Sequence, residues 1–381
     1  MNRIYLDHAA TSPMHPSVID KMMSVMSHDF GNPSSIHAFG REARHVLDEA
    51  RSNIAASIKA GRNEIIFTSG GTEADNTAII GAAHANKEKG KHIITTEIEH
   101  HAILHTCQFL EKSGFEVTYL PVDEAGLISV VDLKAALRDD TILVSVMFGN
   151  NEVGTIQPIA EIGQLLKEHQ ALFHTDAVQA YGLIPINVRE LGVDLLSVSA
   201  HKINGPKGTG FLYMRDGLKF PPHLYGGEQE RKRRAGTESV PAIAGFSEAV
   251  SIAQRTMEKK TEQYNHFKDV LLAVFDEAEV QYEINGSREH VLPHVLNVSF
   301  PGTNVESMLV NLDLAGVAVS SGSACTAGSI EPSHVLVAMF GKGSERTKNA
   351  IRFSFGLNNT EQEVREAAEA TVKIVKRLVQ L

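Results

Sequence analysis

Seven short runs of apolar and β-branched residues constrain the fold more than any other feature of this 381-residue chain. They are EIIFT, HIITT, FEVTYL, TILVSVM, ALFHT, DLLSVS and GFLYM, all between residues 64 and 214, and helical patterns separate most of them. Strands that are apolar throughout are typical of a parallel sheet buried on both faces by helices. The sequence therefore predicts an α/β fold with a mainly parallel seven-stranded sheet.

The chain changes character after this region. Residues 241–275 have the spacing of a long helix, and the remainder mixes strands such as LNVSF and IRFSF with helices. We interpret residues 15–255 as a large domain. Residues 1–14 and 256–381 are predicted to form a smaller α+β domain.

Charge and hydropathy exclude some classes of protein. The formal net charge is −10, whereas dedicated nucleic-acid binders are more often basic, so we expect no direct nucleic-acid contact. No apolar run approaches the ~20 residues that span a bilayer. The N-terminal MNRIYLDHAATSP lacks the layout of a signal peptide. The sequence thus favours a cytoplasmic protein without membrane contact.

The two cysteines differ in their surroundings, and two are too few for a disulfide framework. Cys107 lies in AILHTCQFL, an apolar helical pattern that predicts a small buried side chain. Cys325 lies in SSGSACTAGS, where no neighbour is large enough to bury it. The second context favours a reactive thiol.

Polar residues follow several of the predicted strands, at the ends where ligands bind in open parallel sheets. Residues 69–72 (SGGT) would allow close backbone approach and offer free N–H groups to a phosphate, although a plain tight turn has the same composition. Residues 149–154 (GNNEVG) offer amide donors, or form an ordinary turn.

Three further strand ends carry charged or aromatic groups. Asp176 follows a buried strand and needs a cationic partner, which is either a protonated ring nitrogen or a structural ion pair. Burial would lower the pKa of Lys202 and make its amine a nucleophile. His100 is suited to lie over a flat cofactor ring, or belongs to a surface pair. His101 and His105 have metal spacing, but no second ligand pair follows, so we expect no resident metal.

Ten motifs together resemble one family. In chain order they are YLDHAAT, FGNPSSIH, FTSGGTEADN, EHHAIL, NNEVG, DAVQ, SAHKINGPKG, GGEQERKRRAGT, SSGSAC and IRFSFG. The sequence resembles class I cysteine desulfurases of the NifS/IscS type, within the aminotransferase superfamily of fold type I. The resemblance implies a pyridoxal-phosphate enzyme that converts L-cysteine to L-alanine. It also implies transfer of the sulfur to an acceptor protein, for transfer-RNA thiolation or iron–sulfur cluster assembly.

The resemblance also implies roles for individual residues. Lys202 would hold the cofactor and move the substrate's Cα proton, with His100 stacked on the ring and assisting. Asp176 would pair with the pyridine nitrogen, and Gln179 would bind the ring hydroxyl. Cys325 would carry the sulfur as a persulfide and is also placed to ligate a transient iron–sulfur cluster.

The remaining contacts implied by the resemblance concern the phosphate and the substrate. Thr237 would reach the phosphate from the second subunit, which implies a homodimer. The substrate carboxylate would be held by Asn151, which also belongs to the cofactor site, and by Arg352. The phosphate ligands within the same chain would be Gly71, Thr72, Ser199 and His201.

Some features leave alternatives open. After IRFSFG the chain continues as LNNT, where many relatives have an arginine and threonines. The run Arg231–Arg234 is unusually basic and is either a solvated loop or a contact for an acidic partner or RNA. Another fold-type-I enzyme, such as an aminotransferase or selenocysteine lyase, would keep Lys202 and Asp176 without needing Cys325 as a nucleophile. A non-enzymatic sulfur-delivery scaffold would keep Cys325 alone.

Overall fold

The structure, a computed structural model, describes residues 3–322 and 331–380, together with the backbone of residues 325–326 and 329–330. Its strands are β1 (Ile4–Tyr5), β2 (Ile65–Thr68), β3 (His92–Thr96), β4 (Glu116–Leu120), β5 (Thr141–Ser145), β6 (Leu172–Asp176), β7 (Leu195–Ser199), β8 (Gly210–Met214), β9 (Glu283–Asn285), β10 (Val295–Ser299), β11 (Val317–Ala318), β12 (Cys325–Thr326), β13 (Ser329–Ile330) and β14 (Ala350–Ser354).

Helices connect and cover these strands. They are α1 (Pro16–His28), α2 (Ala38–Ser57), α3 (Gly71–Asn86), α4 (His101–Lys112), α5 (Val130–Ala136), α6 (Ile159–Leu166), α7 (Val188–Leu191), α8 (Gln229–Lys232), α9 (Val240–Glu277), α10 (Val305–Leu314), α11 (His334–Phe340), α12 (Arg346–Asn349) and α13 (Glu361–Val379).

The central sheet has seven strands in the order β2-β8-β7-β6-β5-β3-β4. Strand β8 is antiparallel to β2 and β7, and the other neighbouring pairs are parallel. Every residue of β5, β6, β7 and β8 is buried, as expected for strands apolar on both faces. The predicted α/β fold with a mainly parallel seven-stranded sheet is confirmed.

Two hydrophobic cores lie on opposite faces of this sheet. Successive side chains of β2 point into different cores. Ile65 and Phe67 pack in the core that includes α2 and α9, whereas Ile66 packs in the core that includes α3 and α4. Cys107 of α4 lies in the second core and is fully buried, which confirms its predicted burial. Burial also raises the pKa of this thiol to about 12, so Cys107 is inert at neutral pH.

A second, smaller sheet follows helix α9. It is three-stranded and antiparallel in the order β14-β10-β9, and β1 pairs nearby with β11 in a parallel arrangement. Helix α9 runs for 38 residues, so its first half packs in the large-sheet core and its second half in the small-sheet core. The predicted long helix is confirmed, while the domain limits at residues 15 and 255 stay a prediction.

No helix within the described ranges is long and apolar enough to cross a membrane. The parallel strands β3, β5, β6 and β7 direct their carboxyl ends toward the same edge of the large sheet. This edge faces the small sheet and carries the candidate site.

Candidate active site

A cavity of about 440 Å³ lies at the carboxyl ends of the parallel strands. It brings together residues from the large sheet, the N-terminal segment and the small sheet. Ten residues predicted from the sequence line it: Gly71, Thr72, His100, Asn151, Asp176, Gln179, Ser199, His201, Lys202 and Arg352. Thr237 does not line this cavity and is exposed, at a position between α8 and α9.

Lys202 lies in a short 3₁₀ turn, Ala200–Ile203, that directly follows β7. Its Nζ donates hydrogen bonds to the backbone oxygens of Ala9 at 2.6 Å and Ala10 at 2.8 Å. Burial, reinforced by the positive charge of Arg352, lowers the pKa of Lys202 to about 8, and Asp176 opposes this shift. A useful fraction of the amine is therefore unprotonated near neutral pH and able to attack an aldehyde.

Asp176 is the last residue of β6 and is deeply buried. One carboxylate oxygen accepts a hydrogen bond from the Val178 N–H at 2.9 Å. Burial raises the pKa of Asp176 to about 6, while that N–H and Lys202 pull the pKa down. A buried carboxylate at the cavity wall suits a protonated ring nitrogen, whose positive charge would stabilise the ionised form.

Gln179 lies one turn beyond Asp176 and is fixed at both ends of its amide. Its Nε2 donates to the Ala9 carbonyl at 2.9 Å, and its Oε1 lies 3.0 Å from Nε2 of His294. The second N–H of the amide stays available to a ring hydroxyl in the cavity.

His100 is the residue immediately before α4 and caps that helix. Its Nδ1 accepts the backbone N–H of Ala102 at 3.1 Å, so the proton of the neutral ring sits on Nε2. Burial, then the nearby charge of Lys202, lowers the pKa of His100 to about 4. A neutral imidazole with such a low pKa is a weak base and a suitable flat surface for stacking.

The start of helix α3 forms a cradle for an anion. Gly70 has φ +148°, and a Cβ on Gly71 would lie 2.8 Å from the Val178 side chain. The free N–H groups at the N-terminus of this 16-residue helix attract a phosphate, beside the hydroxyl of Ser199. His201 is oriented by a 3.0 Å contact between its Nδ1 and the Thr11 hydroxyl.

These groups match the three parts of pyridoxal phosphate. An anion cradle, a buried carboxylate and a nucleophilic amine line the same cavity, and they fit the phosphate, the ring nitrogen and the aldehyde respectively. The residues present therefore fit this cofactor.

Arg352 projects from β14 into the same cavity and is only 4% exposed. Its Nη2 donates to Asp7 at 2.8 Å, and its Nη1 donates to the Asn151 backbone oxygen at 2.8 Å. Nε has no hydrogen-bond partner among the described residues. The guanidinium is thus held rigidly, with capacity left for a substrate carboxylate.

Several site residues were missed by the sequence reasoning. Asp7 lies in the quoted motif YLDHAAT but received no role there. Asp75 and Glu99 are buried, and burial raises the pKa of each, to about 8 for Glu99. Asp75 also lines the cavity and lies 3.7 Å from the ring of His174. Burial is the main cause for Asp75, and the negative charge of Asp176 raises its pKa further.

The side chain of Cys325 lies outside the described residues, so its predicted role stays a prediction. The chain on either side of it is placed at the cavity. Gly322 lines the cavity and has a φ of +83°. It lies against Glu152, because a Cβ at this position would be 2.7 Å from one of the carboxylate oxygens. Ser333, on the far side, donates a hydrogen bond to the same carboxylate. Three residues span at most ~11 Å, so Cys325 lies within reach of the cavity.

The basic run Arg231–Arg234 is largely used within its own chain. Glu230, Arg231 and Lys232 adopt left-handed backbone angles. This turn places Glu230 inside, where it forms a buried bidentate pair with Arg51. The other contacts of the run are Lys232 with Glu228, Arg233 with the Asn63 carbonyl, and Arg234 with Glu73. These contacts favour a structural role for the run over a dedicated contact with an acidic partner.

Three histidine rings lie close together, and two of them, His101 and His334, line the cavity. The His101 ring centroid is 5.0 Å from that of His105 and 4.8 Å from that of His334. Among the side chains that the structure describes, no group of three or more candidate ligands is arranged to hold a metal ion.

Comparison with known proteins agrees with this geometry. The profile of the aminotransferase class-V family matches residues 4–366. The chain is 62% identical to "Putative cysteine desulfurase IscS 1" of Bacillus subtilis, over 99% of this chain and 100% of that protein. A solved "NIFS-LIKE PROTEIN" superposes with a TM-score of 0.92 at 36% identity, covering 100% of both chains. The structure "SspA in complex with cysteine" gives 0.82 at 36%, covering 92% of this chain and 98% of that one.

Proposed function

The chain belongs to the aminotransferase class-V family, among its NifS/IscS-like cysteine desulfurases, and we propose that Lys202, Asp176, Arg352 and Cys325 divide its reaction between them. The substrate is free L-cysteine, the product is L-alanine, and the sulfur remains on the protein as a persulfide of Cys325.

The cofactor withdraws electrons from the substrate's Cα when it is bound, which makes the Cα proton acidic. Asp176 would keep the ring nitrogen protonated, because an unpaired carboxylate is costly at that buried position. The N-terminus of α3, with Gly71, Thr72, Ser199 and His201, would hold the phosphate. His100 would pack against the ring and exclude water from that face.

Arg352 orients the substrate. Its guanidinium, fixed by Asp7 and the Asn151 carbonyl, receives the cysteine carboxylate. Lys202 then acts as the base at Cα, because its pKa of about 8 leaves part of the amine neutral. The pKa of His100 is far lower, so it contributes little as a base.

Cys325 accepts the sulfur. Its thiolate attacks the substrate's sulfur, the Cβ–S bond breaks, and the electron pair of that bond stays with carbon. A Cys325 persulfide forms, and the proton given up by the Cys325 thiol balances the one gained by the Cβ methyl group of alanine. Cys107 is unsuited to this role because it is fully buried and its thiol is inert.

One observation carries the proposal. Lys202, Asp176 and Arg352 converge in a single cavity. Glu152 of that cavity lies against Gly322 on one side of Cys325 and accepts a hydrogen bond from Ser333 on the other. An aminotransferase would not need a reactive cysteine there.

Replacement of Lys202 tests the proposal. Lys202→Ala should abolish alanine release from L-cysteine, because both cofactor attachment and Cα proton transfer depend on the amine. Lys207→Ala, an exposed lysine in the same SAHKINGPKG motif, is the matched control and should release alanine like the parent. Undiminished alanine from Lys202→Ala would refute the assignment.

We further propose that the protein is a homodimer. Exposed apolar side chains cluster along α1 and the segment that leads to α2, including Met23, Phe30 at 69% exposure and Ile36 at 91%. Such a surface is typical of an interface between subunits. Thr237, exposed and outside its own cavity, is then free to complete the phosphate site of the partner.

The persulfide sulfur would pass to an acceptor protein in the cytoplasm, for transfer-RNA thiolation or iron–sulfur cluster assembly. Delivery fits the position of Gly322 at the cavity, because a carrier three residues further along the chain could meet both the substrate and an external protein. A transient iron–sulfur cluster on Cys325 would be cargo of the same delivery step. Capture of the persulfide form with cell extract, followed by identification of the bound protein, distinguishes the two pathways.

A further inference from the structure

The segment that carries Thr237 is bound to the rest of its own chain on both sides of that residue. Before it, Nε and Nη2 of Arg234 donate hydrogen bonds to the two carboxylate oxygens of Glu73, at 2.8 and 3.1 Å. After it, the carboxylate of Glu238 is buried and lies 3.9 Å from Nη1 of Arg44. Thr237 itself is exposed. An exposed residue is therefore presented from a backbone that is held on both sides.

The turn directly before Thr237 closes around the Arg234 side chain. Gly236 has a φ of +106°, which favours glycine, and its N–H donates to Oε1 of Gln229 at 3.1 Å. Nη1 of Arg234 donates to the Ala235 carbonyl at 3.1 Å. The guanidinium thus binds both Glu73 and the backbone of the turn, so its position determines where the turn lies.

Glu73 also supports the anion cradle of its own chain. It lies in the first turn of α3, beside Gly71 and Thr72, and its Oε2 accepts the backbone N–H of Ser69 at 2.8 Å. Burial raises the pKa of Glu73, but the hydrogen bonds from Arg234 and Ser69 outweigh this effect and lower the pKa below its ordinary value. The carboxylate is therefore ionised at neutral pH and forms a charge-assisted pair with Arg234.

A neighbouring ion pair in the basic run shows why this one can fix the backbone. Lys232 and Glu228 lie 3.0 Å apart, but their side chains are 71% and 78% exposed, so water and salt screen the pair. The side chains of Arg234 and Glu73 are only 23% and 12% exposed, and they meet through two hydrogen bonds. The Glu73–Arg234 pair is thus the more rigid of the two.

We propose that Glu73 and Arg234 are positioning residues, which hold Thr237 in place for the phosphate site of the partner subunit. This inference rests on the proposed function, in which Thr237 completes that site. Neither Glu73 nor Arg234 lines the cofactor cavity of its own chain, so both act through other residues. Through Ser69 and Arg234, a single carboxylate would support parts of both phosphate sites of the dimer.

Heterodimers purified through two different affinity tags test this role, because the same substitutions can be placed in two arrangements. In the trans arrangement, one chain is the parent and the other carries both Lys202→Ala and Arg234→Ala. In the cis arrangement, one chain carries Arg234→Ala and the other carries Lys202→Ala. Each dimer has one intact Lys202 and one altered Arg234. Only in the trans arrangement does the site with the intact Lys202 depend on the altered segment.

Cofactor binding is measured without turnover. Each cofactor-free heterodimer is titrated with pyridoxal phosphate and reduced with borohydride, and mass spectrometry gives the labelled fraction of the chain with the intact Lys202. The trans arrangement should need several-fold more cofactor for half labelling than the cis arrangement. The cis arrangement should match a dimer of parent and Lys202→Ala chains. In the trans arrangement, Arg234→Lys keeps the charge and should recover part of the affinity, and Lys232→Ala should change nothing.

Glu73→Gln extends the test to the carboxylate. It removes the charge but keeps an acceptor for the Ser69 N–H, so it should weaken labelling in the trans arrangement and not in the cis arrangement. An unchanged trans heterodimer would contradict the role of Glu73. No effect should exceed that of Thr237→Val, because both residues act on the partner's site through Thr237.

A substitution that only disturbs folding follows the altered chain and weakens labelling in the cis arrangement. Equal labelling of the two Arg234→Ala arrangements, or weaker labelling in the cis arrangement alone, would therefore overturn the inference. Thr237→Val in the trans arrangement separates this failure from failure of the proposed function. If Thr237→Val weakens labelling and Arg234→Ala does not, only the positioning role is wrong. If Thr237→Val has no effect, the shared phosphate site itself is wrong.

Discussion

Replacement of Arg352 by alanine should weaken cysteine binding and leave cofactor attachment intact. The guanidinium is 4% exposed and is held by Asp7 and the Asn151 carbonyl, so it receives the substrate carboxylate without reorganisation. A charge-assisted hydrogen bond is worth about 1.5–3 kcal/mol, and 1.36 kcal/mol is tenfold in affinity. The expected loss is therefore about 10- to 150-fold. The upper end is expected, because Asp7 would be left unpaired beside the incoming carboxylate.

Affinity is best measured in a Cys325→Ser background, where cysteine binds without sulfur transfer. The change in cofactor absorbance against cysteine concentration then reports binding alone. Arg346→Ala is the matched control, because Arg346 pairs with Glu283 outside the cavity and should leave cysteine affinity unchanged. Equal cysteine affinity in Arg352→Ala and the parent would show that the carboxylate binds elsewhere.

Two further predictions concern assembly and pH. Thr237→Val should weaken cofactor retention. Dilution that dissociates the dimer should abolish activity in parallel, which sedimentation alongside the activity assay would follow. A fully active monomer would contradict the shared site. Because burial lowers the pKa of Lys202 to about 8, covalent capture of added pyridoxal phosphate by the cofactor-free protein should accelerate as pH rises and level off above about 8. Stopped-flow absorbance measures this rate, and a continued rise toward pH 10, as for a free lysine, would show that the amine is not perturbed.

The parts of the fold that could be predicted are those with a local signal. Strands β5 to β8 are apolar on both faces and separated by helical patterns, which only a covered parallel sheet satisfies. The spacing of apolar residues in 241–275 predicted a long helix, and its predicted bounds agree with those of α9, Val240–Glu277, to within a few residues. The strand-end residues Asp176 and Lys202 could be found because such positions meet at one edge of a sheet. Their roles came from the family resemblance.

The parts that could not be predicted depend on contacts between distant segments. Asp7 reaches Arg352 across 345 positions, because the N-terminal strand returns beside β14. The role of the basic run could not be predicted, because it depends on left-handed backbone angles at Glu230, Arg231 and Lys232. Such angles are rare for residues other than glycine, and nothing in the composition of the run indicates them.

Cys325 takes the sulfur in the proposed reaction, and mass spectrometry after a brief pulse of L-cysteine tests this role most directly. We expect one added sulfur atom per chain, located on the peptide that contains Cys325. Cys107→Ser should behave like the parent, whereas Cys325→Ser should bind cysteine but form neither persulfide nor sustained alanine. Sulfur on Cys107, or no protein-bound sulfur in an enzyme that still releases alanine, would contradict the role of Cys325.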